Sequence, residues 1–276
     1  PPPPPPPPPP FFFHPHPGKP DPLWSRGLGD VYKRQANHRY PESEGLPEFR
    51  QAVASYYKGR HNVELNFEDE VTSLIGSKEA IINFSLCVIN PGDYALVTDP
   101  GYPVYEIGTM LAGGESYKLP LTAEQDWLPD LDSIPDDILT KSKILWVNYP
   151  NNPTGAIAND DFYEKVIAWG IKHDIIIAHD LAYSEVTFDG YTAPSILEYP
   201  NAKDICIELN SLSKSYNMTG WRIAMAVGNK DLVQALRTIK SNIDSLAAIP
   251  LCNTTLISAN LFKGSNISII EVINSF

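Results

Sequence analysis

Cysteine is scarce. Three of 276 residues are cysteine, Cys87, Cys206 and Cys252, an odd and widely spaced set. They offer neither a disulfide framework nor a zinc-ligand spacing, and they point to a reducing compartment, the cytoplasm. Basic residues are also few: 21 Lys and Arg stand against 33 Asp and Glu, a formal charge of −12. That balance argues against a general binder of nucleic acid or of anionic membrane. No apolar run approaches the roughly 18–20 residues that a membrane helix needs. Near the N-terminus there is no apolar core of the roughly 7–15 residues found in a signal peptide. His38, His61, His173 and His179 lack metal-ligand spacing, so no metal is expected. No internal repeat is visible. An apolar fraction of 43% is ordinary for a globule that buries a real core.

Proline is abundant but uneven. Fourteen of the 27 prolines fall in residues 1–35, ten of them as Pro1–Pro10. The same stretch holds four basic and two acidic residues, which leaves −14 on the remainder. One reading of this head is a polyproline linker or binding tail. The other starts from Asp30-Val31-Tyr32-Lys33-Arg34-Gln35. Those six residues are what GAT GTG TAT AAG AGA CAG encodes, the transposon end used to prepare sequencing libraries. A homopolymer of C reads as polyproline in the same way. Residues 1–35 are therefore expected to be a translated library artefact, and residues 36–276 the native domain.

From Ala36 the chain alternates helix and strand patterns. Leu46 to Tyr57 reads as a helix with Phe49, Val53 and Tyr56 on one stripe. Ser77 is placed to cap a helix running to about Val88, stopped by Asn90-Pro91-Gly92. Tyr94 to Thr98 is a short strand, and a helix through Tyr105 to Leu111 ends at Gly113-Gly114. Ile144 to Val147 is a strand entering Asn151-Asn152-Pro153-Thr154-Gly155. Asp160 to Lys172 is a helix with Phe162, Val166 and Trp169 on one face. Ile175 to Ala178 is an apolar strand buried on both faces, ending at His179-Asp180. Asp204 to Leu209 and Arg222 to Val227 read as strands, and Asp231 to Ile243 as a helix. This alternation predicts an α/β fold with a mostly parallel sheet and ligands beyond the strands' carboxyl ends.

The polar clusters follow that rule. In Ser211-Leu212-Ser213-Lys214, with Arg222 eight residues on, two hydroxyls and a guanidinium make a phosphate site. A lysine beside such a site can form an imine with an aldehyde cofactor. A lone lysine after a strand is more often a solvated surface group. Asp180 and Tyr183 are either a turn cap or an acid and a phenol aimed at a pyridine ring. Asn151 to Gly155 alone is a turn. Gly76-Ser77-Lys78 opens a helix and can bind an anion through backbone N–H groups.

Together, in this order and spacing, Gly76-Ser77-Lys78, Asn151-Asn152-Pro153-Thr154-Gly155, Asp180-x-x-Tyr183 and Ser211-x-Ser213-Lys214…Arg222 resemble one family. They are similar to the class I/II aminotransferases that use pyridoxal phosphate. The likeness runs from about Ala36 to Ser245. His38-Arg39-Tyr40-Pro41, Glu44 to Arg50, Ile75 to Glu79 and Ser213 to Arg222 resemble the LL-diaminopimelate aminotransferase group in particular.

The resemblance implies a three-layer α/β/α large domain of fold type I. It implies that Lys214 forms the imine with the cofactor and then moves the proton of the 1,3-shift. Asp180 would keep the pyridine nitrogen protonated. Tyr183 and Asn152 would bind the ring's phenolic oxygen, and Tyr102 would stack on the ring. Ser77, the Lys78 backbone, Ser211, Ser213 and Arg222 would hold the phosphate. Lys78, Tyr102 and Asn152 would also face the substrate. Tyr40 would reach the phosphate of a neighbouring subunit, which implies a homodimer. The substrates would be an amino acid, LL-2,6-diaminopimelate favoured, and the 2-oxo acid 2-oxoglutarate.

Other readings stay open at this point: an aminotransferase for aspartate, alanine or aromatic amino acids, a β-elimination lyase, or a cofactor-binding effector domain of a transcription regulator. Ser211-x-x-Lys214 also matches the β-lactamase motif, but its Ser-Asp-Asn and Lys-Thr-Gly partners are absent. The family's N-terminal covering segment and its small C-terminal domain, with the arginine that clamps the substrate carboxylate, are not found in the sequence. Residues 36–276 are thus expected to be the large domain truncated at both ends, and poorly active alone.

Overall fold

The computed structural model describes residues 42–244. They begin with α1 (Pro47–His61), β1 (Val71–Leu74), α2 (Ser77–Val88), β2 (Tyr94–Asp99), α3 (Val104–Leu111) and β3 (Glu115–Pro120). After α4 (Asp136–Leu139) come β4 (Ser142–Val147), α5 (Asp160–His173) and β5 (Ile176–Asp180). The chain continues through α6 (Ala202–Ile205), β6 (Cys206–Ser211), α7 (Leu212–Ser215), β7 (Ala224–Gly228) and α8 (Lys230–Ile243).

Among the described residues the strands form one sheet in the order β1-β7-β6-β5-β4-β2-β3. Neighbours from β6 to β3 are parallel, and β7 alone runs antiparallel to both β1 and β6. Side chains on a strand alternate between faces. Leu145, Val147 and Ile177 therefore enter one apolar cluster with α1 and α5. Ile144, Trp146 and Ala178 enter another with α2, α3 and α8. Helices cover both faces, so the layers are α/β/α as predicted.

Local chemistry sets the helix ends. Pro47 starts α1 with a pre-set φ and no N–H to orphan. The Asn159 side chain accepts from the Phe162 amide at 2.9 Å, and Asp160 and Asp161 favour the positive end of α5. Asn229 caps α8 by accepting from the Asp231 and Leu232 amides. The predicted stripes Phe49, Val53, Tyr56 and Phe162, Val166, Trp169 are all buried.

Four details differ from the sequence reading. Gly76, not Ser77, is the N-cap of α2, and Ser77 is its first helical residue. Residues 202–205 form the short helix α6, so the strand starts at Cys206 rather than Asp204. The segment Thr219–Trp221 is a 3₁₀ turn, Arg222 is left-handed at φ 55°, and the strand begins only at Ala224. β1 and β3 were not anticipated. β1 is four residues long, and β3 alternates weakly around a single buried Leu119.

Candidate active site

β1, β2, β4, β5 and β6 end at the same edge of the sheet. β7 runs the other way, so its approach segment reaches that edge too, carrying Arg222. The topology thus gathers Ser77, Lys78, Tyr102, Asn152, Asp180, Tyr183, Ser211, Ser213, Lys214 and Arg222 at one end of the sheet. Tyr40 lies outside the described residues.

Asp180 is the last residue of β5, and its side chain is buried. Its Oδ2 accepts from the Tyr105 hydroxyl at 2.9 Å, while its Oδ1 is buried and has no hydrogen-bond partner. Burial pushes the Asp180 carboxyl above the ordinary aspartate range; the Tyr105 hydroxyl, the His179 charge and the Ala182 amide pull it back. Burial and the Asp180 charge push the Tyr105 phenol well up, so it stays a donor. Asn148 ties the neighbouring loop down. Its Nδ2 donates to the Asp180 carbonyl at 2.6 Å, and its Oδ1 accepts from the Asn152 amide at 2.7 Å.

Tyr105 also orders the aromatic floor. Its ring stacks on Trp146 at 5.0 Å and meets Tyr102 edge-on at 5.8 Å. Lys78 Nζ lies 6.0 Å from the Tyr102 ring centre. Across the site, Lys214 Nζ lies 5.9 Å from the Tyr183 ring centre. Burial, then the Asp180 charge, raise the Tyr183 phenol. Lys214 stands exposed on the one-turn α7, just past the end of β6.

The anion-binding end is built from three elements. The Arg222 guanidinium donates to the Ile75 carbonyl at 3.1 Å and to the Thr219 carbonyl at 3.1 Å. This sets its charge beside the N-terminus of α2, where backbone N–H groups and the helix dipole favour an anion. Gly76 has φ +112°, and a Cβ there would collide with that guanidinium. Behind it, Glu79 accepts from the Ile75 amide at 3.0 Å and pairs with the buried Lys240 at 3.0 Å. The Ser211 hydroxyl accepts from the Ser213 amide at 3.3 Å, and the Ser213 and Ser215 hydroxyls are buried without partners.

Pyridoxal phosphate fits these residues. A buried, unpartnered carboxylate oxygen suits a protonated ring nitrogen. Unpartnered hydroxyls, a guanidinium and a helix N-terminus suit a phosphate. A lysine stands beside a phenol above them. No group of histidine, cysteine or acidic residues able to hold a metal occurs among the described residues. None of their helices is long and apolar enough to cross a membrane. Cys87 and Cys206 are free thiols.

Sequence reasoning missed Tyr105, Asn148 and Glu208. Tyr105 had a signal, a second aromatic three residues after Tyr102, in the first turn of α3. Glu208 also had one, a lone carboxylate inside the apolar run Ile205 to Leu209.

Residues 20–270 match the family model for aminotransferase class I and II. The chain is 57% identical over 209 residues to the LL-diaminopimelate aminotransferase of Moorella thermoacetica, covering 76% of this chain and 54% of that one. It is 52% identical over 231 residues to LL-diaminopimelate aminotransferase 2 of Trichormus variabilis, covering 83% and 59%. Its fold superposes on the structure of an aminotransferase from Staphylococcus aureus with a TM-score of 0.79 at 36% identity, covering 94% of this chain and 68% of that one. The chain spans about half the length of the curated relatives it matches. Motifs, sheet topology and these likenesses agree: the chain belongs to the class I and II aminotransferase family.

Proposed function

We propose that this chain carries the cofactor-binding core of an aminotransferase that moves an amino group from LL-2,6-diaminopimelate to 2-oxoglutarate. One observation carries the chemistry: the buried Asp180 carboxylate keeps Oδ1 unpartnered at the edge where Lys214, Tyr183 and Arg222 meet. Bound pyridoxal phosphate supplies an aldehyde carbon for the amino group and a protonated ring that draws electrons from the substrate Cα.

The chain's own residues do the rest. Asp180 Oδ1 accepts the ring N–H and keeps that proton in place, with Tyr105 fixing the other oxygen. Lys214 Nζ would take the proton from the substrate Cα and return it two bonds away, on the carbon that came from the cofactor's aldehyde. Tyr183 and Asn152 donate to the ring's phenolic oxygen, and Tyr102 covers one face. Arg222, Ser77, Ser211, Ser213 and the Lys78 amide anchor the phosphate. Lys78, at the rim near Tyr102, attracts a substrate carboxylate. The reading includes a cytoplasmic homodimer in which Tyr40 reaches the neighbouring subunit's phosphate site.

Substrate choice rests on the likeness to the diaminopimelate enzymes, and an amino-donor panel on the complete gene product tests it. With 2-oxoglutarate as acceptor, kcat/KM for LL-diaminopimelate is expected to exceed that for aspartate, alanine and phenylalanine by about 100-fold or more. That is the discrimination expected when buried polar groups must match a substrate's own. A higher value for any of the other three donors would overturn the substrate assignment and leave the cofactor chemistry standing.

A further inference from the structure

The anion-binding end turns on one backbone residue. Ile75 stands between β1 and Gly76, the N-cap of α2, and both of its polar groups are taken. Its N–H donates to Glu79 Oε2 at 3.0 Å, and its carbonyl accepts from the Arg222 guanidinium at 3.1 Å. Glu79 lies on α2 and Arg222 leads into β7, so Ile75 joins two elements that meet only in the fold. The next residue gives the joint no stiffness of its own, because glycine takes many backbone conformations. Contacts must hold Gly76 at its observed φ of 112° and ψ of 152°.

The Glu79 contact is displaced from the usual one. In a capping box the glutamate at the third helical position accepts from the N–H of the cap residue. Glu79 is the third residue of α2, yet it accepts from Ile75, one residue ahead of the cap. Gly76 has no side chain with which to cap. The first amides of α2 thus have no capping side chain and stay open to an anion.

A carboxylate in that first turn also brings negative charge near the anion's place. Lys240 of α8 offsets it. The ammonium is fully buried, and Nζ donates to Glu79 Oε1 at 3.0 Å and to Asp244 Oδ1 at 3.1 Å. Asn83 Nδ2 donates to the same Glu79 oxygen at 2.6 Å and to Asp244 Oδ2 at 3.3 Å. Oε1 is therefore filled from behind, and Oε2 is left for Ile75.

We propose that Glu79, held by Lys240, is a positioning residue of the phosphate site: it fixes the Ile75 backbone, and the Ile75 carbonyl sets the Arg222 guanidinium beside the open end of α2. The proposal rests on the cofactor reading above. A network that only pinned α8 to α2 would support every ligand alike. One that orders the phosphate cradle acts only on ligands that carry a phosphate.

Binding of pyridoxal phosphate and of pyridoxal, the same aldehyde without the phosphate, separates the two. Glu79→Ala is expected to weaken pyridoxal phosphate binding by about tenfold or more, the size of one lost hydrogen bond to a charged group. Pyridoxal binding should stay within about twofold of the parent's, since the cradle contributes nothing to it. Glu79→Gln keeps an acceptor oxygen for the Ile75 amide and is expected to recover part of the loss. Unchanged affinity for pyridoxal phosphate in Glu79→Ala, or an equal loss for both ligands, would overturn the proposal. If the variants fail to fold, amide hydrogen exchange on the unaltered, cofactor-free protein decides. The Ile75 amide is expected to be protected, and the Ser77 and Lys78 amides to exchange far faster. Equal exchange at the three would overturn it. Failure of the cofactor reading looks different: the unaltered protein would bind pyridoxal phosphate no more tightly than pyridoxal.

Discussion

Lys214→Ala is expected to lower kcat/KM for transamination by about 10⁴-fold or more, while the fold is kept. Positioned acid–base groups contribute about 10²–10⁴-fold, and in the proposed function Lys214 is also the nucleophile that pre-binds the cofactor. The side chain is exposed on a single helical turn. Its removal opens no cavity in either apolar cluster, so the midpoint of thermal unfolding should stay within a degree or so of the parent's. Steady-state kinetics beside a melting curve checks both statements. A variant retaining a tenth of the activity would remove Lys214 from the chemistry. A variant that melts far lower would make its loss uninformative.

Asp180→Asn is the second large effect, and its sign differs between activity and stability. The amide offers no negative charge to a protonated ring nitrogen, so kcat should fall by about 10²–10³-fold, the usual size for one electrostatic contact aimed at developing charge. Stability should move the other way. Burial raises the folded-state pKa of Asp180 above its unfolded value. The folded chain therefore binds that proton more tightly than the unfolded chain does. Ionisation costs stability once pH rises through the unfolded value of about 3.9. At neutral pH the cofactor-free Asp180→Asn protein, relieved of that cost, should melt higher than the parent. The same raised pKa predicts that cofactor affinity falls on acidification earlier than an ordinary aspartate would allow. Kinetics, a melting curve and a binding titration against pH measure the three. A variant that is both active and less stable would contradict the assignment twice.

Much of the candidate site was legible in the sequence because its residues are punctuation. Asn152, Asp180 and Ser211 each follow or close an apolar strand, where a polar residue breaks a pattern. The parallel rule then places all of them at one edge. The helices were legible for the same reason, since Phe162, Val166 and Trp169 share a face that only burial explains. What escaped was set by tertiary contact. Tyr105 lies inside a helix that is apolar on both sides, and only the fold shows its hydroxyl meeting Asp180 across 75 positions of chain. Glu208 looks like an interruption of a buried strand until the β5–β6 register sets it opposite His179. The strand limits near residues 204 and 222 were misread because short helices and left-handed turns leave little periodic signal. Gly76 as N-cap depends on φ +112° and on the space Arg222 takes, neither of which a serine at the next position reveals.

The central claim is that Lys214 is the residue that bonds the cofactor. Incubation of the purified protein with pyridoxal phosphate, borohydride reduction and peptide mapping by mass spectrometry test it most directly. The account predicts one stoichiometric adduct, on the peptide that holds Ser213-Lys214-Ser215, at Lys214. An adduct on Lys78 or another lysine instead, or none at all, would contradict it.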